Sequence, residues 1–184
     1  MTTRMKNMKI KRVIVGGLET NCYLAESTDE LIIVDPGNEA EKITAEIIQS
    51  GTTPRSIILT HSHYDHIGAV QDISRRFKIP IFIHEKEKDY IGFSEVSYLK
   101  EGDEIKFGDK TLRVINTPGH TPGGICLVGE KVIFTGDTLF KEGYGRTDFP
   151  EGSPSDMEKS LKRLKSIIKP GTTVYPGHDE PFII

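Results

Sequence analysis

The chain is poor in cysteine, has no excess of positive charge and contains no long apolar run. Cys22 and Cys126 are its only cysteines and lie far apart, which excludes a CxxC redox pair and a cysteine-rich zinc knuckle. Both are expected as buried, reduced thiols. Twenty-four Lys and Arg stand against 27 Asp and Glu, for a net charge of -3. That balance supplies no broad positive field for gripping phosphate backbones, so a small-molecule partner is expected and a nucleic acid is not. No stretch approaches the ~20 apolar residues of a membrane span. The N-terminal MTTRMKNMKIKRVIVGG is basic, but its apolar run is too short and too charged for a signal peptide, which points to the cytoplasm. A chain of 184 residues, 36% of them hydrophobic, can bury a substantial core without disulfide staples, and one domain over 1–184 is expected.

What is present is a mixture of short strands and amphipathic helices, with no repeat, low-complexity tract or linker. Segments 11–15, 22–25 and 31–34 are β-branched and separated by GG and STDE turns, as in a strand meander. Asn38 is a candidate cap for a helix carrying Ile43, Ile47 and Ile48 and ending at Gly51. SIILT at 56–60 has the continuous apolar character of a buried strand, delivering His61 at its carboxyl end. Ile67, Val70, Ile73 and Phe77 predict a second helix, and IPIFI a further strand. In the second half, 110–115, 124–128 and 131–135 read as strands, a helix over 155–169 carries Leu161, Leu164, Ile167 and Ile168, and TTVYPGH forms a last strand. The lysines of that helix are expected on a solvated outer face. Such interleaving favours a layered α/β domain.

The six histidines are not scattered: three fall with an aspartate inside HSHYDH, residues 61–66. On an extended segment His61 and His63 point the same way, while Asp65 and His66 fall where the chain turns into a helix. Burying several imidazoles and a carboxylate together is costly unless a cation organises them. TPGH with His120, FTGD with Asp137 and YPGH with His178 each present a further ligand-type residue in a glycine-containing loop after a strand. Seven groups exceed what one tetrahedral ion uses, and two neighbouring ions would use them all. His84, in IFIHEKE, matches no such pattern and is expected to be structural.

HSHYDH, TPGH, GDT and PGH, in that order, resemble the metallo-β-lactamase superfamily, and TNCYL, IIVDPG and GRTDFP resemble its glyoxalase II branch. The resemblance implies an αβ/βα sandwich of two sheets packed face to face with helices outside. It also implies His61, His63 and His120 on a first metal, Asp65, His66 and His178 on a second, and Asp137 bridging. The cofactors so implied are two divalent ions, zinc foremost and iron or manganese as alternatives. The implied activity is hydrolysis of a thioester such as S-D-lactoylglutathione by hydroxide that the ions generate and that Asp65 and Asp137 orient. Unlike the longer glyoxalase II enzymes, residues 1–184 include no C-terminal helical extension for gripping glutathione, which leaves the substrate open. Persulfide dioxygenases of the same superfamily share these motifs with one Fe(II), and are the principal alternative. A β-lactam hydrolase, an RNA-processing enzyme and a non-catalytic binding module are weaker ones. Asp35 either closes a turn or orients a ligand imidazole. Arg146 is expected to pair with Asp148, supporting the loop after Asp137. Tyr90, Phe93, Tyr98 and Tyr144 are candidate substrate contacts, the first three within a segment, 85–102, that forms either a lid or surface packing.

Overall fold

Alternation of side chains across each strand generates four layers. In the computed structural model, which describes residues 8–184, one sheet is formed in spatial order by β1 (Lys9–Val15), β2 (Thr20–Ser27), β3 (Glu30–Val34), β4 (Thr53–Ile58), β5 (Ile81–His84) and β6 (Ser97–Leu99). Residues 1–7, the first part of the basic N-terminal stretch, lie outside the described residues. The first three strands form the expected antiparallel meander, and β3 to β6 are parallel. The second sheet runs β12 (Phe182–Ile183), β11 (Thr173–Pro176), β10 (Val132–Gly136), β9 (Ile125–Gly129), β8 (Lys110–Asn116), β7 (Glu104–Phe107), with only β10 and β11 parallel.

Along β2, Tyr23 and Ala25 face the second sheet, where they meet Phe107, Leu112, Val114, Leu127 and Phe134. Cys22 and Leu24 face the other way, into a layer with Ile43 and Ile47 of α1 (Ala40–Ser50) and Val70 and Ile73 of α3 (Val70–Phe77). Every residue of β2 is buried because both of its faces are covered. The outer face of the second sheet packs Cys126, Ile133 and Val174 against Leu164 of α4 (Pro154–Ile167). The result is an α/β/β/α sandwich. Both thiols are buried and free, and burial pushes the Cys126 thiol up to about 12.

Three local expectations are corrected. Asn38 does not cap α1: its Oδ1 accepts from the next amide, Glu39 N, at 2.7 Å, and the cap is Glu39 in a left-handed conformation. The helix expected through Ile67 and Phe77 is two, α2 (Tyr64–Ile67) and α3, because the Ala69 amide donates to the Pro36 carbonyl (3.0 Å) instead of continuing the first helix. On α4 the fully buried residues are Met157, Ser160 and Leu164, while Leu161, Ile167 and Ile168 are half-buried. Its lysines face water in short-range pairs, Lys159 with Asp156 and Lys162 with Glu158. Among the described residues no helix is long and apolar enough to cross a membrane.

At one end the two sheets are stitched together by polar contacts from TNCYL. The Asn21 amide donates to the Gly177 carbonyl (2.7 Å), and Asn21 Nδ2 and the Tyr23 hydroxyl donate to the Pro176 carbonyl (3.0 and 2.7 Å). The Ile125 amide donates to the Thr60 carbonyl (3.0 Å). Tyr23→Phe removes one such bond while Asn21 still satisfies the Pro176 oxygen. It should therefore cost about 0.5–1.5 kcal/mol in urea unfolding, with an unchanged slope.

Candidate metal centre

The stitched end is where the histidines collect. His61 follows β4, and His63 is the extended residue that opens α2, whose single turn carries Asp65 and His66. His120 lies in the loop after β8, Asp137 directly after β10 and His178 two residues after β11. Five imidazoles thus arrive from different parts of the chain. Ring centroids are 4.1 Å apart for His61 and His66, 4.5 Å for His63 and His120, and 5.3 Å for His66 and His178. His84 is not among them: buried at the end of β5, its Nδ1 accepts the Lys86 amide (3.2 Å) and caps a 3₁₀ turn, Glu85–Glu87.

One nitrogen of each clustered imidazole is held by the protein. His61 Nδ1 meets Thr60 Oγ1 (3.1 Å), and His63 Nε2 meets Glu151 (3.1 Å). His66 Nδ1 meets Asp35 (3.0 Å), His120 Nδ1 the Arg146 carbonyl (2.7 Å), and His178 Nδ1 the Leu18 carbonyl (3.0 Å). The other nitrogen points inward. His61 Nε2, His66 Nε2, His120 Nε2 and Asp137 Oδ1 are all buried without a hydrogen-bond partner. Four such orphans in one place contradict the usual satisfaction of buried polar groups, unless a cation completes them.

Their spacing fits one. A tetrahedral ion bound at roughly 2.0 to 2.1 Å separates its ligand atoms by about 3.3 Å. Asp137 Oδ1 is 3.5 Å from His66 Nε2, Asp137 Oδ2 is 3.4 Å from His120 Nε2 and 3.5 Å from His178 Nε2, and Asp65 Oδ2 is 3.2 Å from His178 Nε2. Two sets emerge, His61 with His63 and His120, and Asp65 with His66 and His178. Asp137 touches members of both. Asp35, His61 and His66 also lie close together, but the Asp35 carboxylate already accepts from Thr60 N (2.8 Å), Thr60 Oγ1 (2.6 Å) and His66 Nδ1. Asp35 therefore both braces its turn, with φ of 51°, and orients an imidazole.

Gly177 makes this packing possible. A Cβ there would overlap Asp137 Oδ1 and stand 2.8 Å from His66 Cε1. Only a glycine before His178 lets the chain pass so close beneath two ligand groups.

A family model described as the metallo-beta-lactamase superfamily matches residues 15–178. The chain belongs to the metallo-β-lactamase superfamily. It is 33% identical to the probable metallo-hydrolase YqgX of Bacillus subtilis, over 93% of this chain and 90% of that one. It is 30% identical to the hydroxyacylglutathione hydrolase GloC of Haemophilus influenzae, over 93% and 91%. Among solved structures, TTHA1623 in a di-iron-bound form superposes with a TM-score of 0.85 at 31% identity, covering 94% of each chain. The α/β/β/α sandwich is the one this superfamily predicts.

Within this superfamily site the two sets differ electrostatically. Burial, and then the neighbouring imidazoles, hold His61 well below the usual histidine range. Burial likewise lowers His120, against the opposing pull of Asp137. Burial also acts on His66, but the carboxylates of Asp137, Asp35 and Asp65 outweigh it and push the group up to about 9. His178 is raised against burial by Asp65 and Asp137. Asp65 is lowered despite its burial, because His178, His66 and Thr20 Oγ1 (2.9 Å) hold its charged form.

The remaining expected residues divide. Arg146 pairs with Asp148 through Nε and a second guanidinium nitrogen, both at 2.7 Å, and lies over the Phe149 ring. Its contribution to the centre comes from its backbone carbonyl on His120. Tyr90 borders a cleft with His63. Phe93 packs toward the core between the first sheet and its helices, Tyr98 sits in the edge strand β6, and Tyr144 lines a groove against α4. These three do not border the clefts at the histidines, and of the four candidate contacts only Tyr90 does. Sequence reasoning missed Glu151, Thr20 and Glu87. Their partners lie 88, 45 and 25 positions away, beyond any spacing rule.

A cation taken up by Asp65, His66 and His178 must displace the proton that His66 carries below about pH 9. His61 and His120, both lowered, are already neutral at pH 7. The affinity of the second set for Zn(II) should therefore rise at least about tenfold per pH unit between pH 7 and 9, more steeply than that of the set containing His61 and His120. Stepwise titration at several pH values against a competing chelator reads both slopes. Equal slopes would contradict the assignment of charge.

Proposed function

We propose that this chain is a dinuclear metallo-hydrolase that cleaves a small thioester of the hydroxyacylglutathione kind. The observation that carries the reading is the set of buried, partnerless imidazole nitrogens facing the Asp137 carboxylate at the open end of the sandwich. In this reading His61, His63 and His120 hold one ion, Asp65, His66 and His178 the other, and Asp137 serves both. When bound, two divalent cations supply Lewis acidity and bring the pKa of water from 15.7 to ~7.

The chain's own residues supply orientation and access. Thr60, Glu151, Asp35 and the carbonyls of Arg146 and Leu18 fix the tautomer and rotation of each imidazole. Asp65 and Asp137 contribute negative charge and aim it at the reacting space. Two clefts flank that space. One, of about 590 Å³, lies beside His178 and is bordered by Arg12, Leu18, Lys141 and Asp179. The other, of about 250 Å³, lies beside His63 and is bordered by Tyr64, Ile67 and Tyr90. A substrate laid across the site places one portion in each, with its carbonyl over Asp137. A thiol of pKa near ~8.5 leaves as its anion near neutral pH, so the reaction asks no proton donor of these residues. The name of the Haemophilus relative, a hydroxyacylglutathione hydrolase, supports this choice of substrate.

Two measurements test the proposal. The metal-loaded protein should release thiol from S-D-lactoylglutathione without consuming oxygen, and Asp137→Ala should lower kcat about a thousandfold, the worth of several kcal/mol of charge stabilisation. Oxygen uptake with glutathione persulfide, one Fe(II) per chain and no thioester cleavage would replace it with a dioxygenase.

A further inference from the structure

The segment EKEKD after β5 is written in surface residues, yet Glu87 within it is completely buried. One of its carboxylate oxygens accepts from the Ser62 amide (3.0 Å) and from the Ser62 hydroxyl. The other accepts from the Gly123 amide at 2.6 Å. Ser62 stands between His61 and His63, and Gly123 follows His120 by three residues. The carboxylate thus joins the two loops that carry the first histidine set. Space is reserved for it, since a Cβ on Gly123 would lie 2.7 Å from both Glu87 Cγ and Oε1. The 3₁₀ turn that presents it is capped by His84.

Among the described residues no lysine, arginine or histidine forms an ion pair with Glu87. A buried carboxylate with no cationic partner is costly, and hydrogen bonds from a serine and two amides offset only part of that cost. Histidine ligates a cation through a neutral imidazole, so the three beside it bring no charge of their own to one. We propose that Glu87 is a positioning residue for the first histidine set: it locks the His61–His63 segment to the His120 loop and supplies the outer negative charge that favours a cation there. This rests on the dinuclear reading above. It predicts that Glu87 selects between the two sets rather than supporting the fold alone, because none of its contacts reaches Asp65, His66 or His178.

The test is Glu87→Gln, which keeps the shape and removes the charge, with Ser62→Ala as a milder variant should the first fold poorly. Zn(II) competition against a chromophoric chelator gives both stepwise affinities for the wild type and each variant. The expected result is a loss of about 10- to 100-fold in one affinity for Glu87→Gln, a smaller loss in the same one for Ser62→Ala, and the other affinity unchanged. Unchanged affinities in both variants, or an equal fall in both affinities, would overturn the proposal while leaving the dinuclear reading intact. A wild-type protein that binds no Zn(II) would overturn both.

Discussion

The structure depends on one constraint: imidazole nitrogens buried beside two carboxylates must be satisfied by something that is not protein. Each clustered histidine gives one nitrogen to a residue outside the cluster and leaves the other facing its neighbours. Neighbouring imidazoles cannot satisfy each other fully, because in neutral form each inward nitrogen is an acceptor. A proton on His66 is the partial solution open to the metal-free protein, since three carboxylates surround it. In the dinuclear reading proposed above, a pair of cations completes the remaining nitrogens and the Asp137 carboxylate. That the outer partners come from the turn before β2, the turn after β3, the chain just after β4 and the loop between β10 and α4 means that folding itself assembles the cluster, with no local segment sufficient alone.

The sandwich converts this requirement into geometry. The side chains between the sheets form a closed apolar layer, so no polar group can be housed there without loss of solvation. The carboxyl ends of β4, β10 and β11 are different, because strand pairing stops and the chain leaves the sheet while still held by it. Cross-sheet bonds from Asn21 and Tyr23 to Pro176 and Gly177 fix the separation of the two sheets at this edge. Helix α4 adds a further hold, with Ser160 donating to the Pro118 carbonyl (2.7 Å) and the Ser153 amide to the Gly119 carbonyl (2.8 Å), so the loop bearing His120 cannot drift. TNCYL is thus a structural clamp beside the cluster, and TPGH carries His120 in a loop that α4 holds in place.

Much of this was legible in the sequence, and the reasons for the rest are physical. HSHYDH announces itself because four ligand-type residues within six positions have no other economical explanation, and β3 and the last residues of β4 show as apolar runs because both faces are covered there. Asp35 could be placed in a turn but not assigned to His66, since that contact joins positions 31 apart. The split between α2 and α3 was hidden because periodicity continues across it; the break comes from the tertiary bond of Ala69 to Pro36. Phe93 and Tyr98 misled because an aromatic in a polar segment looks exposed whether it covers a core or a ligand. Glu87 was invisible for the opposite reason: composition marks a charged run as surface, and only three-dimensional contacts show one of its members turned inward.

The two histidine sets are therefore not equivalent halves of one site. The Asp65 set carries its own carboxylate directly and has Asp35 behind His66, so negative charge reaches it at two depths. The His61 set has three rings and no carboxylate among its own members, with Glu151 on His63 and Glu87 behind Ser62. Direct carboxylates raise the pKa of the imidazoles they touch and so put protons in competition with the cation, whereas more distant ones attract a cation without protonating the ligand. Burial lowers both rings, and His61 stays low beside the other imidazoles whereas the carboxylates touching His66 outweigh burial and raise it. Asp137, with one oxygen toward His66 and the other toward His120 and His178, reaches members of both sets, so both environments act on its carboxylate.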